Sequence, residues 1–194
     1  MAHRMNALMP RDVPARVKLR VEDFMLLDAA GKFTEIGRTE LIDGDIIEMN
    51  SQHRPHSRAK FRLARLIEDA LVTLDSPLGV LVEATVNMPP HDAPEPDIVV
   101  TSEPKGEGFV PLATVALLVE VADTTLSFDL GRKATLYARR GVPEYWVVDL
   151  NAARIVRMWR PGPAGFAESD ATPFGAPLKA ATISALIVAT GGLA

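Results

Sequence analysis

The sequence predicts a single α/β domain in which helices cover the faces of a mixed β-sheet. Three observations predict it. Residues 115–122 are apolar on both strand faces apart from Glu120, the mark of a central strand covered on both sides. Residues 55–74 and 130–140 carry apolar side chains at helical spacing. Residues 39–49 read strand, turn, strand around Asp43-Gly44, a strong hairpin signal.

The elements follow in order. Residues 1–19 are basic and rich in Met and Pro without a continuous apolar run, so they read as a loose, flexible leader rather than a signal peptide, ahead of one domain over 20–194. Val21 to Leu27 reads as a short helix that ends before Gly31. After the hairpin, Pro55 suits a first helical position, and Phe61, Leu63, Ala64, Ile67 and Leu71 carry the helical pattern until Asp75, Pro77 and Gly79 stop it. Val80 to Met88 alternates as a strand, and Ile98 to Thr101 is a short buried one. Residues 102–111 read as a Gly/Pro loop ahead of the central strand. Leu130 to Arg140 is helical, with Gly141 as its C-terminal cap. Glu144 to Asp149 and Arg154 to Trp159 form a hairpin around Asn151, Pro161 to Gly165 is a loop, and the tail holds one or two short strands.

Composition narrows the function. With 194 residues, 47% hydrophobic and 24% charged, the chain can bury a core without staples. It has no cysteine, so a metal would rest on oxygen or imidazole ligands, and a reducing cytoplasm is the expected compartment. A formal charge of −4 gives no global footprint for nucleic acid, although basic residues can still concentrate locally. No apolar run reaches the roughly 18 residues that span a membrane.

Two charges stand where apolar residues belong, and buried charges are costly unless paired or bound to a metal. Glu120 shares a strand face with Leu118 and Ala122 near the strand's carboxyl end, where α/β sheets gather ligand chemistry. Its plainer role is a structural ion pair. Lys133 projects between Tyr137 and Leu136, inside the apolar arc of its helix, unless it snorkels along the edge. Asp97 opens a strand after Pro96 and could equally be a turn residue. Together, two acids from adjacent strand ends and an ammonium suit metal-dependent phosphodiester hydrolysis: the acids hold Mg²⁺, and the ammonium offsets developing negative charge. Glu83 reads as a solvated strand face or a support for Asp97. His53 and His56 read as a helix start, Asp129 as a helix cap, Tyr137, Tyr145 and Trp146 as core or interface, and Asp123-Thr124-Thr125 as a loop able to line an entrance.

The stretch from Glu95 to Asp149 resembles the Uma-type restriction-endonuclease family of the PD-(D/E)XK nuclease superfamily. The resemblance is carried by Pro96-Asp97, the run from Leu118 to Leu126, Asp129, Lys133, Tyr137, and the block from Gly141 to Asp149. Glu40 to Met49 and His56 are similar to that family as well, so the likeness spans roughly residues 20–160. It implies a restriction-endonuclease-like core with an N-terminal β-hairpin. It also implies Asp97 and Glu120 as metal-binding acids, Glu40 as an acid beside them, and Lys133 as the active-site lysine. His56 and Tyr137 would support these residues, as Glu83 could from its strand beside that of Asp97. The superfamily's usual lysine lies two residues after the second acid, where this chain has Ala122, so the lysine is displaced to the helix. The implied activity is Mg²⁺-dependent (or Mn²⁺-dependent) endonucleolytic cleavage of DNA by a homodimer, with exposed Trp159 as a candidate contact. Two rivals stand beside it: a nuclease-fold interaction or nucleic-acid-binding module without catalysis, and a hydrolase of small phosphoesters.

Overall fold

A computed structural model of the chain describes residues 16–193; the leader expected over 1–19 lies, up to residue 15, outside them. The amino-terminal part contains α1 (Val21–Ala29), the hairpin β1 (Thr39–Ile42) and β2 (Asp45–Glu48), and the long helix α2 (Arg54–Thr73). Asp43 and Gly44 both have positive φ, the conformation a two-residue hairpin turn requires, which explains the Asp-Gly signal. Then come β3 (Gly79–Val82), β4 (Val86–Asn87), β5 (Ile98–Thr101), β6 (Val110–Pro111) and β7 (Val115–Ala122). A continuous helical segment follows: α3 (Leu126–Phe128), a π-helical turn (Asp129–Lys133) and α4 (Ala134–Arg139). The chain closes with β8 (Glu144–Asp149), β9 (Arg154–Gly162), β10 (Gly165–Pro173), β11 (Pro177–Lys179) and β12 (Ile187–Ala189).

Six strands form the central sheet in the order β10-β9-β8-β7-β5-β3, with β7 and β8 parallel and every other pair antiparallel. The one parallel pair is joined by the helical segment, as a crossover requires. Alternate residues of β7 serve two cores. Val119 and Val121 pack with Leu63, Ile67 and Leu71 of α2. Leu118 and Ala122 pack with Ala134, Leu136 and Tyr137 of α4. Every residue of β7 except Ala116 is buried, so a lone carboxylate at position 120 sits inside the protein.

Five local expectations need correction. The strand over 80–88 breaks at Glu83, whose positive φ ends β3 and lets the chain leave the sheet before β4. The helix over 130–140 starts earlier, at Leu126, and passes through a π-helical turn. Residues 161–165 belong largely to a long hairpin, because β9 runs to Gly162 and nine-residue β10 begins at Gly165. Asp129 does not cap the start of the helix, a place Thr125 takes; it lies buried where α3 passes into the π-helical turn. Trp159 is half-buried beneath the Arg157 guanidinium, 5.6 Å from its ring, and is not the open aromatic surface expected. No helix among the described residues is long and apolar enough to cross a membrane.

Candidate active site

β7 and β5 position the two acids. The strands run antiparallel with Ile98 opposite Val119, which sets the start of β5 beside the carboxyl end of β7. The Val121 amide donates to Asp97 Oδ2 at 2.8 Å, tying Asp97 to the residue after Glu120. Both carboxylates line one cavity of about 60 Å³ with Asp129, Glu95, Arg38 and His56. The Asp123-Thr124-Thr125 loop also borders it, as its position after Glu120 predicts.

Behind Glu120 lies a closed charge cluster. Lys133 Nζ donates to Glu120 Oε1 at 2.8 Å and to Glu40 Oε1 at 2.9 Å, and the Tyr137 hydroxyl donates to the same Glu120 oxygen at 3.0 Å. Lys133 and Glu40 are 0% exposed, so Lys133 reaches the cavity only through Glu120. The strand β1 delivers Glu40 and the π-helical turn delivers Lys133, from opposite ends of the domain's first two-thirds. Glu40 Oε2 is buried with no hydrogen-bond partner among the described residues.

Asp97 has its own shell of basic and amide side chains. His56 Nε2 lies 3.1 Å from Oδ2, Lys60 Nζ lies 3.5 Å from Oδ1, and Gln52 Nε2 donates to Oδ1 at 3.3 Å. Lys60 also meets Glu83 at 2.6 Å, and Arg38 links Glu83 at 3.0 Å with Glu95 at 2.7 Å. Glu83 therefore anchors the cations around Asp97, and its positive φ is what turns it there from the end of β3. Lys60, Gln52, Arg38 and Glu95 escape a reading that follows only the family's acids. A signal for Lys60 was available: on α2 it falls between Ala59, Leu63, Ala64 and Ile67, the arc that faces the core, by the same wheel that marks Lys133.

The two acids differ in electrostatics. Burial pushes the Asp97 carboxyl up, but the His56 hydrogen bond and charge, the Val121 amide and Lys60 outweigh it and hold its pKa below the ordinary value. Burial raises Glu120 well above the ordinary carboxylate range, and Asp129, Asp97 and Glu40 add to the rise against Lys133. Burial would strip the proton from Lys133, but Glu120, Glu40 and Asp129 overcome it and keep the ammonium charged. Burial also lifts Asp129 to about 6, opposed by Lys133 and by the Thr125 hydroxyl, which donates to it at 2.6 Å. One ammonium thus faces three acids beside the cavity, and burial with like charge favours the protonated forms of Glu120 and Asp129 there.

That donor set suits a hard divalent cation. Among the described residues no three His, Asp or Glu side chains form a closed metal cage. Mg²⁺ does not need one: it is held by one or two carboxylates and fills its remaining places with waters and substrate oxygens. An ion at Asp97 would share that carboxylate with His56 and Lys60.

A family described as "Uma2: Putative restriction endonuclease" matches residues 21–188. A solved structure described as a "putative nuclease belonging to DUF820 from Anabaena variabilis ATCC 29413" superposes with a TM-score of 0.67 at 18% identity, covering 90% of this chain and 97% of that one. At that identity the likeness is one of fold. No curated protein matches.

Proposed function

Because the chain belongs to the Uma2 restriction-endonuclease family and has a nuclease fold, we propose that it is a Mg²⁺-dependent endonuclease that hydrolyses DNA phosphodiester bonds. The observation that carries the reading is the pair Asp97 and Glu120, open to one cavity beside a cluster of buried acids. In this reading Asp97 and Glu120 hold the metal. When bound, Mg²⁺ (or Mn²⁺) supplies Lewis acidity toward a phosphoryl oxygen and lowers the pKa of an attacking water.

The chain's own residues do the rest. Lys133 and Tyr137 fix the orientation of Glu120 through one oxygen, leaving the other free to face the cavity. Lys133 is therefore a positioning residue, and Glu40 holds it in place. His56 and Lys60 orient Asp97, and Arg38 at the cavity wall holds Glu83 and Glu95 in place beside it. The cavity admits an ion, waters and phosphate oxygens but is too small to engulf a nucleotide, which favours a polymer presented from outside over a small phosphoester. We further propose a homodimer, in which two such sites address the two strands of a duplex. Light scattering at micromolar concentration tests it: the mass of two chains is expected, and a single-chain mass refutes it.

The rival reading, a non-catalytic nucleic-acid-binding module, draws on the hydrogen bonds that already occupy Asp97. Incubation with supercoiled plasmid across a Mg²⁺ and Mn²⁺ titration, with chelator as control, separates the two. Metal-dependent nicking or linearisation is expected. Plasmid that is retarded on a gel but never cut would favour the module.

A further inference from the structure

The helix α2 turns two different faces to its surroundings. His56 and Lys60 point inward to Asp97, while Arg54, Arg58, Arg62 and Arg65 are all exposed. At 100° per residue the four arginines fall within about 80° of one another, on the side of the helix opposite His56 and Lys60. From Arg54 to Arg65 they cover about 16 Å of helix axis. The stripe begins at the end of α2 that borders the cavity and runs away from it, with Phe61, 64% exposed, on its flank.

What distinguishes these arginines is the lack of acids. Arg38, Arg132, Arg140, Arg154, Arg157 and Arg160 each face an Asp or Glu. Among the described residues, none of the four on α2 forms an ion pair; Arg62 alone donates to a protein group, the Gly191 carbonyl at 3.3 Å. Asp69 and Glu68 stand at the far end of the stripe and bound it. In a chain of net charge −4, four arginines in one line, without an ion pair among the described residues and with Asp69 only at the far end, are a local inversion of sign. Guanidinium forks match phosphate oxygens bidentately, and duplex DNA presents a regular line of them. One aromatic makes no stacking track for a single strand, so the charge pattern favours the duplex backbone.

We propose that the outer face of α2, through Arg54, Arg58, Arg62 and Arg65, is a duplex-DNA backbone-binding surface that anchors DNA outside the catalytic cavity. The proposal rests on the DNA reading above for its ligand but not on catalysis. Backbone contacts position a duplex without reading its sequence, so the surface would add affinity and salt dependence without specificity.

The test is fluorescence anisotropy with a 30-base-pair duplex, without divalent metal, at several salt concentrations. Three proteins are compared: wild type, a triple variant Arg58→Ala, Arg62→Ala, Arg65→Ala, and a charge-matched control Arg139→Ala, Lys105→Ala, Lys179→Ala drawn from other exposed sites. The α2 triple is expected to lose at least tenfold in affinity and to lower the slope of log K against log salt by about 2–3, with the control within twofold of wild type. Equal affinity and slope in the α2 triple and wild type, equal losses in both triples, or no duplex binding by wild type would each overturn the proposal. Plasmid cleavage by the same proteins keeps the two readings apart. Binding through α2 without cutting overturns the nuclease reading alone, and cutting with α2-independent binding overturns this one alone.

Discussion

Lys133 shows how a single residue can be legible in place and not in role. Its position inside an apolar arc marks it as buried, and it is 0% exposed. Its partners, Glu40 from a hairpin some ninety residues earlier and Glu120 from β7, cannot be read from spacing, because tertiary contact alone joins them. Replacing Lys133 by Met leaves two buried carboxylates without a cation, and the loss is expected to be about 3–5 kcal/mol in urea unfolding. Adding Glu120→Gln to Lys133→Met should recover part of it, since one uncompensated charge is removed with its partner. Asp129 carries a second prediction at this scale. Its carboxyl is lifted from 3.8 to about 6, chiefly by burial, so the folded state keeps a proton that the unfolded chain has released. The native state then binds more protons than the unfolded one between about pH 4 and pH 6, and stability falls as pH rises through that window. In metal-free buffer Asp129→Asn should gain on wild type from pH 4 to pH 7, by up to about 3 kcal/mol. A thermal-melt series over that range checks it, and a constant difference between the two proteins would contradict it.

At the scale of elements, the strongest local signals were obeyed and the failures have identifiable causes. The Asp43-Gly44 hairpin, α2 and β7 form where periodicity and turn chemistry put them. The alternation from Val80 to Val86 misleads because Glu83 takes a left-handed conformation to reach Lys60 and Arg38, and tertiary ion pairing overrides strand propensity there. The strand β10 lacked an apolar pattern because it is an edge strand with one pairing partner and mostly exposed side chains. The π-helical turn has no signal in composition; its effect is to bring Asp129 and Lys133 together into the site region. The β1–β2 hairpin matters because it carries Glu40. Gly44 has φ +73°, and a Cβ there would stand 2.8 Å from Lys18 Cβ and 3.1 Å from the Leu19 carbonyl. Gly44→Ala is expected to cost about 1–3 kcal/mol, read as a lowered melting temperature; an unchanged melt would show that the hairpin is free to shift.

For the molecule as a whole, the sheet explains why a site forms where it does. Antiparallel β5 and β7 bring the start of one strand to the end of the other, and the helical segment returning to β8 closes over that point. The fold class and the inward place of Glu120 were readable from burial parity in the sequence, whereas Asp97 alone reads as a turn residue and it and Glu40 are singled out as acids of the site by family resemblance. The shell of Lys60, Arg38 and His56 was not fully readable, because it gathers from α2 and the loop ahead of β1, which only the completed fold juxtaposes. The central claim is that Asp97 and Glu120 act together through a metal on DNA. It is tested most directly by measuring Mg²⁺-dependent cleavage of supercoiled plasmid by wild type, Asp97→Asn and Glu120→Gln, each first shown to be folded by circular dichroism. Wild type is expected to cut, with each variant slowed by about a hundredfold or more. Cleavage by either folded variant at the wild-type rate would contradict it.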